Sequence, residues 1–169
     1  MLSRKYHAGI NSVLTSWYQR GIIMVLYGKV CYKMDVLDVY KKLDDEDISV
    51  MDCKILNIKG LSIQSGNKQG VFLNYDEIEN ADEEFCVIAH EYGHCATGTF
   101  YSNNSDKSYI SQCEYRADRK SVLLFLPIEK LNKAIAYGCQ MSYEFADFLG
   151  MPEKFVVLAF KHYRDMGLI

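Results

Sequence analysis

The sequence predicts an α+β domain: one leading helix, a small antiparallel sheet of three short strands, then four or five further helices. Three observations carry this. Apolar residues recur at helical spacing just after Met34. Short alternating segments separated by turn residues fill positions 53–75, and helix start and stop signals punctuate everything beyond Asn80. With 49% hydrophobic and 13% aromatic residues and only two prolines among 169, the chain can build one sizeable core, which excludes global disorder.

Residues 1–33 read as an N-terminal extension, rich in aromatics and weakly patterned, and residues 34–169 as the domain proper. Val36, Leu37, Tyr40 and Leu43 recur as on one helix face, and the acidic run Asp44–Asp47 closes that helix. Cys53–Ile58, Leu61–Gln64 and Gly70–Tyr75 then read as strands, with Lys59-Gly60 and Ser65–Lys68 between them. Asn80–Glu83 and Ser111–Glu114 both have the form of a capping box, in which a short polar side chain and a carboxylate three residues on satisfy each other's backbone N–H. Pro127 and Pro152 suit first turns, and Gly138, Gly150 and Gly167 suit helix ends.

A formal charge of −3 argues against a general binder of nucleic acid or of anionic membranes. Six scattered cysteines with no CxxC pair read as reduced thiols of a cytosolic protein. No apolar run reaches the roughly 18 residues a membrane helix needs. The run Ile22–Tyr27 is also too short and too late for a signal peptide. A cytoplasmic protein is expected.

Chemistry enters with His90-Glu91-Tyr92-Gly93-His94, an HExxH sequence within a helix predicted from about Ala81 to Thr97. Residues four apart stack on one helix face, so both imidazoles can reach one metal ion at about 2 Å. Glu91 projects about 100° further round. There it is placed to touch a water on the ion rather than the ion itself, and to move that water's proton. Phe85, Ile88, Ala89, Tyr92 and Ala96 form an apolar stripe on the opposite side, so the histidines face a cleft or solvent.

A catalytic zinc takes three protein ligands and keeps a position open. Glu114-Tyr115-Arg116-Ala117-Asp118 puts two carboxylates one helical turn apart. Glu114 is a candidate third ligand, unless the capping box with Ser111 claims it. Asp118 is a candidate to bond the distal nitrogen of a ligating histidine, and Ala117 is small enough for a close helix approach. His162 on an apolar helix, His7, Cys95 and Cys113 are poorer candidates.

His90–His94, the strand Gly70–Tyr75 and Glu114–Asp118 leading to Leu126-Pro127 together resemble the ImmA/IrrE family of metallopeptidases, over roughly Met34 to the C-terminus. Residues 1–33 and Arg119-Lys120-Ser121 depart from the family's pattern. The resemblance implies a zincin-like domain with Zn²⁺ held by His90, His94 and Glu114, and Glu91 as general base. It also implies a zinc-dependent endopeptidase that cleaves a helix-turn-helix repressor of a phage or integrative element, with no direct contact to nucleic acid or membrane. Gly70–Tyr75 would serve as an edge strand for an extended peptide. Tyr101, Tyr109 and Tyr115 are candidates to stabilise an oxyanion.

A second reading is a DNA-binding or regulatory module with an incidental HExxH, since Tyr143–Gly150, a break at Met151-Pro152 and Glu153–His162 have helix-turn-helix spacing. Against it, the second helix reads Phe155-Val-Val-Leu-Ala-Phe160. It offers mainly Lys154 where a recognition helix needs several polar donors.

Overall fold

The computed structural model of the chain describes Val25–Leu26, Lys29–Val30 and residues 34–54, 57–102 and 104–169. The chain divides into two units, Met1–Cys31 and Tyr32–Ile169. In the first, β1 (Val25–Leu26) and β2 (Lys29–Val30) pair antiparallel, with Val25 opposite Val30. His7, Cys31 and the centre of the predicted first strand, Ile55-Leu56, lie outside the described residues.

The second unit runs α1 (Val36–Asp45), β3 (Ser49–Asp52), β4 (Gly60–Ser65), β5 (Lys68–Leu73), α2 (Ala81–Thr97), α3 (Lys107–Phe125), α4 (Ile128–Tyr137), α5 (Ser142–Leu149) and α6 (Glu153–Asp165). It is an α+β unit with six helices among the described residues.

The sheet corrects the expected all-antiparallel arrangement. Its order is β3-β5-β4; β4 and β5 form an antiparallel hairpin, but β3 runs parallel to β5, from Ser49 opposite Gly70 to Asp52 opposite Leu73. The first strand lies earlier than Cys53–Ile58 because the chain turns back at once after α1. Asp47 takes a left-handed conformation (φ 56°), and Ile48 N–H donates to Leu43 O at 2.9 Å. Ile48 is buried and Val50 half-buried, while Ser49 and Met51 face out. This period of two is real but short and flanked by acids. Cys53 N–H makes one more bond, to Leu73 O, and the chain then reverses into β4. Consequently Gly70–Tyr75 does not supply an edge strand. β5 is central, with Val71 and Leu73 fully buried, and β3 and β4 form the edges.

α1 buries Val39 and Leu43 while Leu37 is exposed, a stripe turned slightly from the predicted one. α2 starts as its cap predicts, with Asn80 Oδ1 accepting from Glu83 N–H at 2.9 Å. Glu83 returns its carboxylate to Glu79 N–H instead of to Asn80. α3 departs further: Asp106 Oδ1 accepts from Ser108 N–H at 2.8 Å and starts the helix at Lys107, so Ser111 sits in its second turn. The Ser111–Glu114 capping box does not form, and the Glu114 carboxylate is free for other partners. Pro127 and Pro152 occupy N-caps, one position before the first turn.

The core is aromatic. Phe85 meets the edges of Phe125 and Phe155, with ring centroids 6.1 and 5.1 Å away, and the buried Tyr163 hydroxyl donates to Leu126 O at 2.8 Å. The stripe of α2 faces it with Phe85, Ile88, Ala89 and Tyr92. In Arg119-Lys120-Ser121 the two charged residues are exposed to solvent, and the buried Ser121 hydroxyl donates to Asp118 O. α6 turns Phe155, Val156, Ala159, His162 and Tyr163 inward. Among the described residues no helix is long and apolar enough to cross a membrane.

What positions the site is the crossing of α2 and α3. A Cβ added at Gly93 would lie 2.2 Å from Ala117 O, well inside van der Waals contact, so the two backbones touch there. One residue type at each position makes this possible: glycine on α2 and alanine on α3.

Candidate metal centre

His90, Glu91 and His94 come from α2 and Glu114 and Asp118 from α3, on either side of the Gly93–Ala117 contact. The ring nitrogens His90 Nε2 and His94 Nε2 are 3.1 Å apart. Glu114 Oε1 lies 3.1 Å from His94 Nε2, and Glu114 Oε2 lies 3.3 Å from His90 Nε2. A tetrahedral ion with ligand bonds of about 2.0–2.1 Å has edges of about 3.3–3.4 Å. The three side chains therefore already stand at nearly the spacing one ion would impose. They form a group that can hold a metal ion.

Their outer partners fix the protonation. His94 Nδ1 is 2.9 Å from Thr99 O and 3.1 Å from Thr99 Oγ1. A carbonyl oxygen only accepts, so Nδ1 carries the hydrogen and Nε2 offers a lone pair. His90 Nδ1 is 2.8 Å from Asp118 Oδ1, and the same logic leaves its Nε2 bare when the ring is neutral. Two imidazole lone pairs and a carboxylate then converge on one point, an arrangement that is repulsive without a cation. A proton on His90 relieves it: burial opposes the charge, but the hydrogen bonds to Asp118 and Glu114 outweigh burial and hold His90 up at about 10, against an ordinary 6.5. Glu114 is held down to about 2, first by the bond from His90, with burial opposing and the bond from Tyr101 assisting. A divalent metal answers the same demand with more charge.

Glu91 is buried beside this point but is not part of the converging set. Its carboxylate is packed under β4. A Cβ on Gly60 would lie 2.9 Å from Glu91 Cγ, and the Ser62 hydroxyl donates to the carboxylate. Burial raises its affinity for a proton, and the nearby histidines pull the other way. Of the three tyrosines singled out, Tyr101 reaches the site, its hydroxyl donating to Glu114 Oε1 at 2.5 Å and its ring packed against His94. Tyr109 bonds instead to Cys113, and Tyr115 packs its ring at a tilt of 50° against His162. Cys95 and Cys113 are buried free thiols outside the group.

Four residues near the site escaped the sequence reading. Gly60 registered only as punctuation and Ser62 only as strand. Thr99 follows a left-handed turn at Gly98 (φ 63°) that brings it under His94, and the only sequence signal was a glycine at the helix end. His162, from the sequence a packed or surface residue, is fully buried, with Nε2 4.0 Å from Asp118 Oδ2.

Fold and site together define an α+β protein with a candidate two-histidine, one-carboxylate metal centre. No family model, curated protein or solved structure matches this chain.

Proposed function

We propose that this chain is a cytoplasmic zinc-dependent endopeptidase of the ImmA/IrrE kind, cleaving a helix-turn-helix repressor of a phage or integrative element. The observation that carries the reading is the convergence of two tautomer-fixed imidazoles and one carboxylate at tetrahedral spacing, with a buried carboxylate beside them. Two nitrogens and one oxygen suit zinc; magnesium and calcium favour all-oxygen shells. Three protein ligands leave the open position of a catalytic rather than a structural site. The bound metal would supply Lewis acidity and a water acidified to a pKa of about 7.

The chain's own residues supply the rest. Glu91 takes a proton from the attacking water and returns it to the leaving amine. Tyr101, whose one O–H rests on Glu114, would turn it from that carboxylate to the developing oxyanion once Glu114 is engaged by the metal. β4 is an edge strand whose inner face, at Gly60 and Ser62, lies against Glu91. Its outer edge offers backbone groups to an extended peptide, which would run past the general base in a fixed register.

The test is to purify the chain, measure its bound metal, and incubate it with the repressor-like protein encoded nearest its own gene, with and without a chelator. Chelator-sensitive cleavage, lost in Glu91→Gln while zinc remains, supports the proposal. A chain that takes up no zinc overturns the metal centre, and cleavage undiminished in Glu91→Gln overturns the mechanism. A zinc-loaded chain that leaves the repressor intact removes that substrate.

A further inference from the structure

His162 on α6 is completely buried, and neither ring nitrogen has a hydrogen-bond partner. Buried polar groups are nearly always bonded, and an orphaned imidazole needs a reason. Phenylalanine or leucine would fill the position without that cost, on a helix whose inward face is otherwise Phe155, Val156, Ala159 and Tyr163. The ring is held on one side by Tyr115 of α3, with centroids 4.8 Å apart. Its Nε2 points at Asp118, 4.0 Å from Oδ2. That oxygen is the second of the carboxylate whose Oδ1 already bonds His90 Nδ1 at 2.8 Å.

The gap is about 1 Å longer than an ordinary N–H···O bond. A shift of about 1 Å between the His162 ring and the Asp118 side chain closes it. Burial disfavours the charged ring, and a neutral imidazole has one N–H to give. We propose that His162 is a positioning residue, the outermost member of a line running metal–His90–Asp118–His162. Its Nε2–H donates to Asp118 Oδ2 and so fixes the carboxylate that fixes His90. This rests on the reading of His90 as a metal ligand. It extends the support of that ligand from α3 to α6, so that three helices hold one imidazole.

The experiment measures the zinc dissociation constant of the full chain by competition with a chromophoric chelator, alongside thermal melting of the metal-free forms. The variants are His162→Phe, His162→Gln, His162→Asn, Asp118→Ala and the double variant Asp118→Ala/His162→Phe. Removing a group bonded directly to a ligand typically costs 10–100-fold in affinity, so one step further out we expect roughly threefold to tenfold for His162→Phe. Glutamine places an amide N–H near the position of Nε2 and should restore most of this. Asparagine is equally polar but too short, and should not. In the Asp118→Ala background His162→Phe should change affinity no further, because its only route to the metal is gone.

Equal losses in both backgrounds, or glutamine no better than asparagine, overturn the inference and leave His162 a packing residue. The glutamine–asparagine comparison decides the matter even where phenylalanine prevents folding. A wild-type chain without zinc affinity instead brings down the metal-centre reading, and this inference with it.

Discussion

Gly93→Ala is the sharpest test of how the site is built. The added methyl would lie 2.2 Å from Ala117 O, 2.7 Å from its carbonyl carbon and 3.0 Å from its Cα. Close C···O contacts in proteins settle at about 3.3 Å or more, so α2 and α3 must separate by about 1 Å. All three atoms nearest the methyl are backbone, so no side chain can swing aside. Alanine is the better helix former by about 0.8–1 kcal/mol, while overpacking a close contact costs about 1–3 kcal/mol or more. We therefore expect a net loss of about 1–2 kcal/mol in the metal-free protein, read by urea unfolding. The metal centre should suffer more. Ligand distances tolerate only about 0.2 Å, and the separation falls between His90 and His94 on one helix and Glu114 on the other. Zinc affinity should drop at least about 100-fold, near 2.7 kcal/mol, in a chelator competition. A Gly93→Ala protein with wild-type stability and wild-type zinc affinity would refute the claim that this backbone contact sets the ligand spacing.

Glu114→Ala leaves two imidazoles to hold the ion, and its zinc affinity should fall by more than the 10–100-fold typical of losing an outer partner; unchanged affinity by the same competition moves the third ligand elsewhere. Tyr101→Phe should keep its zinc yet turn over roughly 100-fold to 1000-fold more slowly, in line with the loss of one oxyanion donor; an equal drop in metal content would make Tyr101 a support for Glu114 instead. Because the metal-free protein holds a proton on His90 up to about pH 10 and the metal form cannot, zinc binding near pH 8 should release about one proton and tighten about tenfold per pH unit until pH 10. Calorimetry in buffers of different ionisation enthalpy reads that proton directly, and a pH-independent affinity contradicts the raised proton affinity of His90. The same shift makes a stability statement: raised in the fold, the His90 charge stabilises the metal-free protein fully below about 6.5, and that stabilisation is lost as pH rises through about 10. Glu114, lowered to about 2, contributes above about 4.5 and loses its contribution as pH falls toward 2; metal-free melting curves against pH should show both slopes.

What could be read from the sequence was what is decided locally. α2 runs from Ala81 to Thr97 as its cap and stripe foretell, because each signal lies within the helix or one residue outside it. The sheet was less legible. Parallel pairing of β3 with β5 is settled by the turn at Asp47 and by a partner strand beyond β4, whereas Ile48 and Val50 alternate over too few residues to outweigh the longer run at 53–58. The sequence points to Ser111 as the start of α3, but Asp106 caps the helix five residues earlier, and composition alone does not choose between two such polar residues. The ligands themselves were legible as types at a spacing, and Tyr101 as one of three candidate tyrosines, but Thr99 and the place of His162 beside Asp118 were not. Each acts through a contact made by loop or tertiary geometry, and a histidine on an apolar helix looks the same whether it packs or supports.

The HExxH spacing guarantees only that two imidazoles share a helix face; it does not aim their lone pairs. That aim comes from acceptors outside the motif. Thr99 O and Asp118 Oδ1 each compel a hydrogen onto Nδ1 and so expose Nε2. If both acceptors were removed, for instance by replacing Asp118 with alanine and displacing Thr99 through Gly98→Val at its left-handed turn, either ring could place its hydrogen on Nε2. The converging lone pairs would no longer be enforced. The motif would remain intact in sequence while the demand for a cation weakened. A protein carrying HExxH without such acceptors should therefore bind zinc less tightly than this one. The outer hydrogen bonds, more than the two histidines alone, separate a metal centre from a helix with two imidazoles on one side.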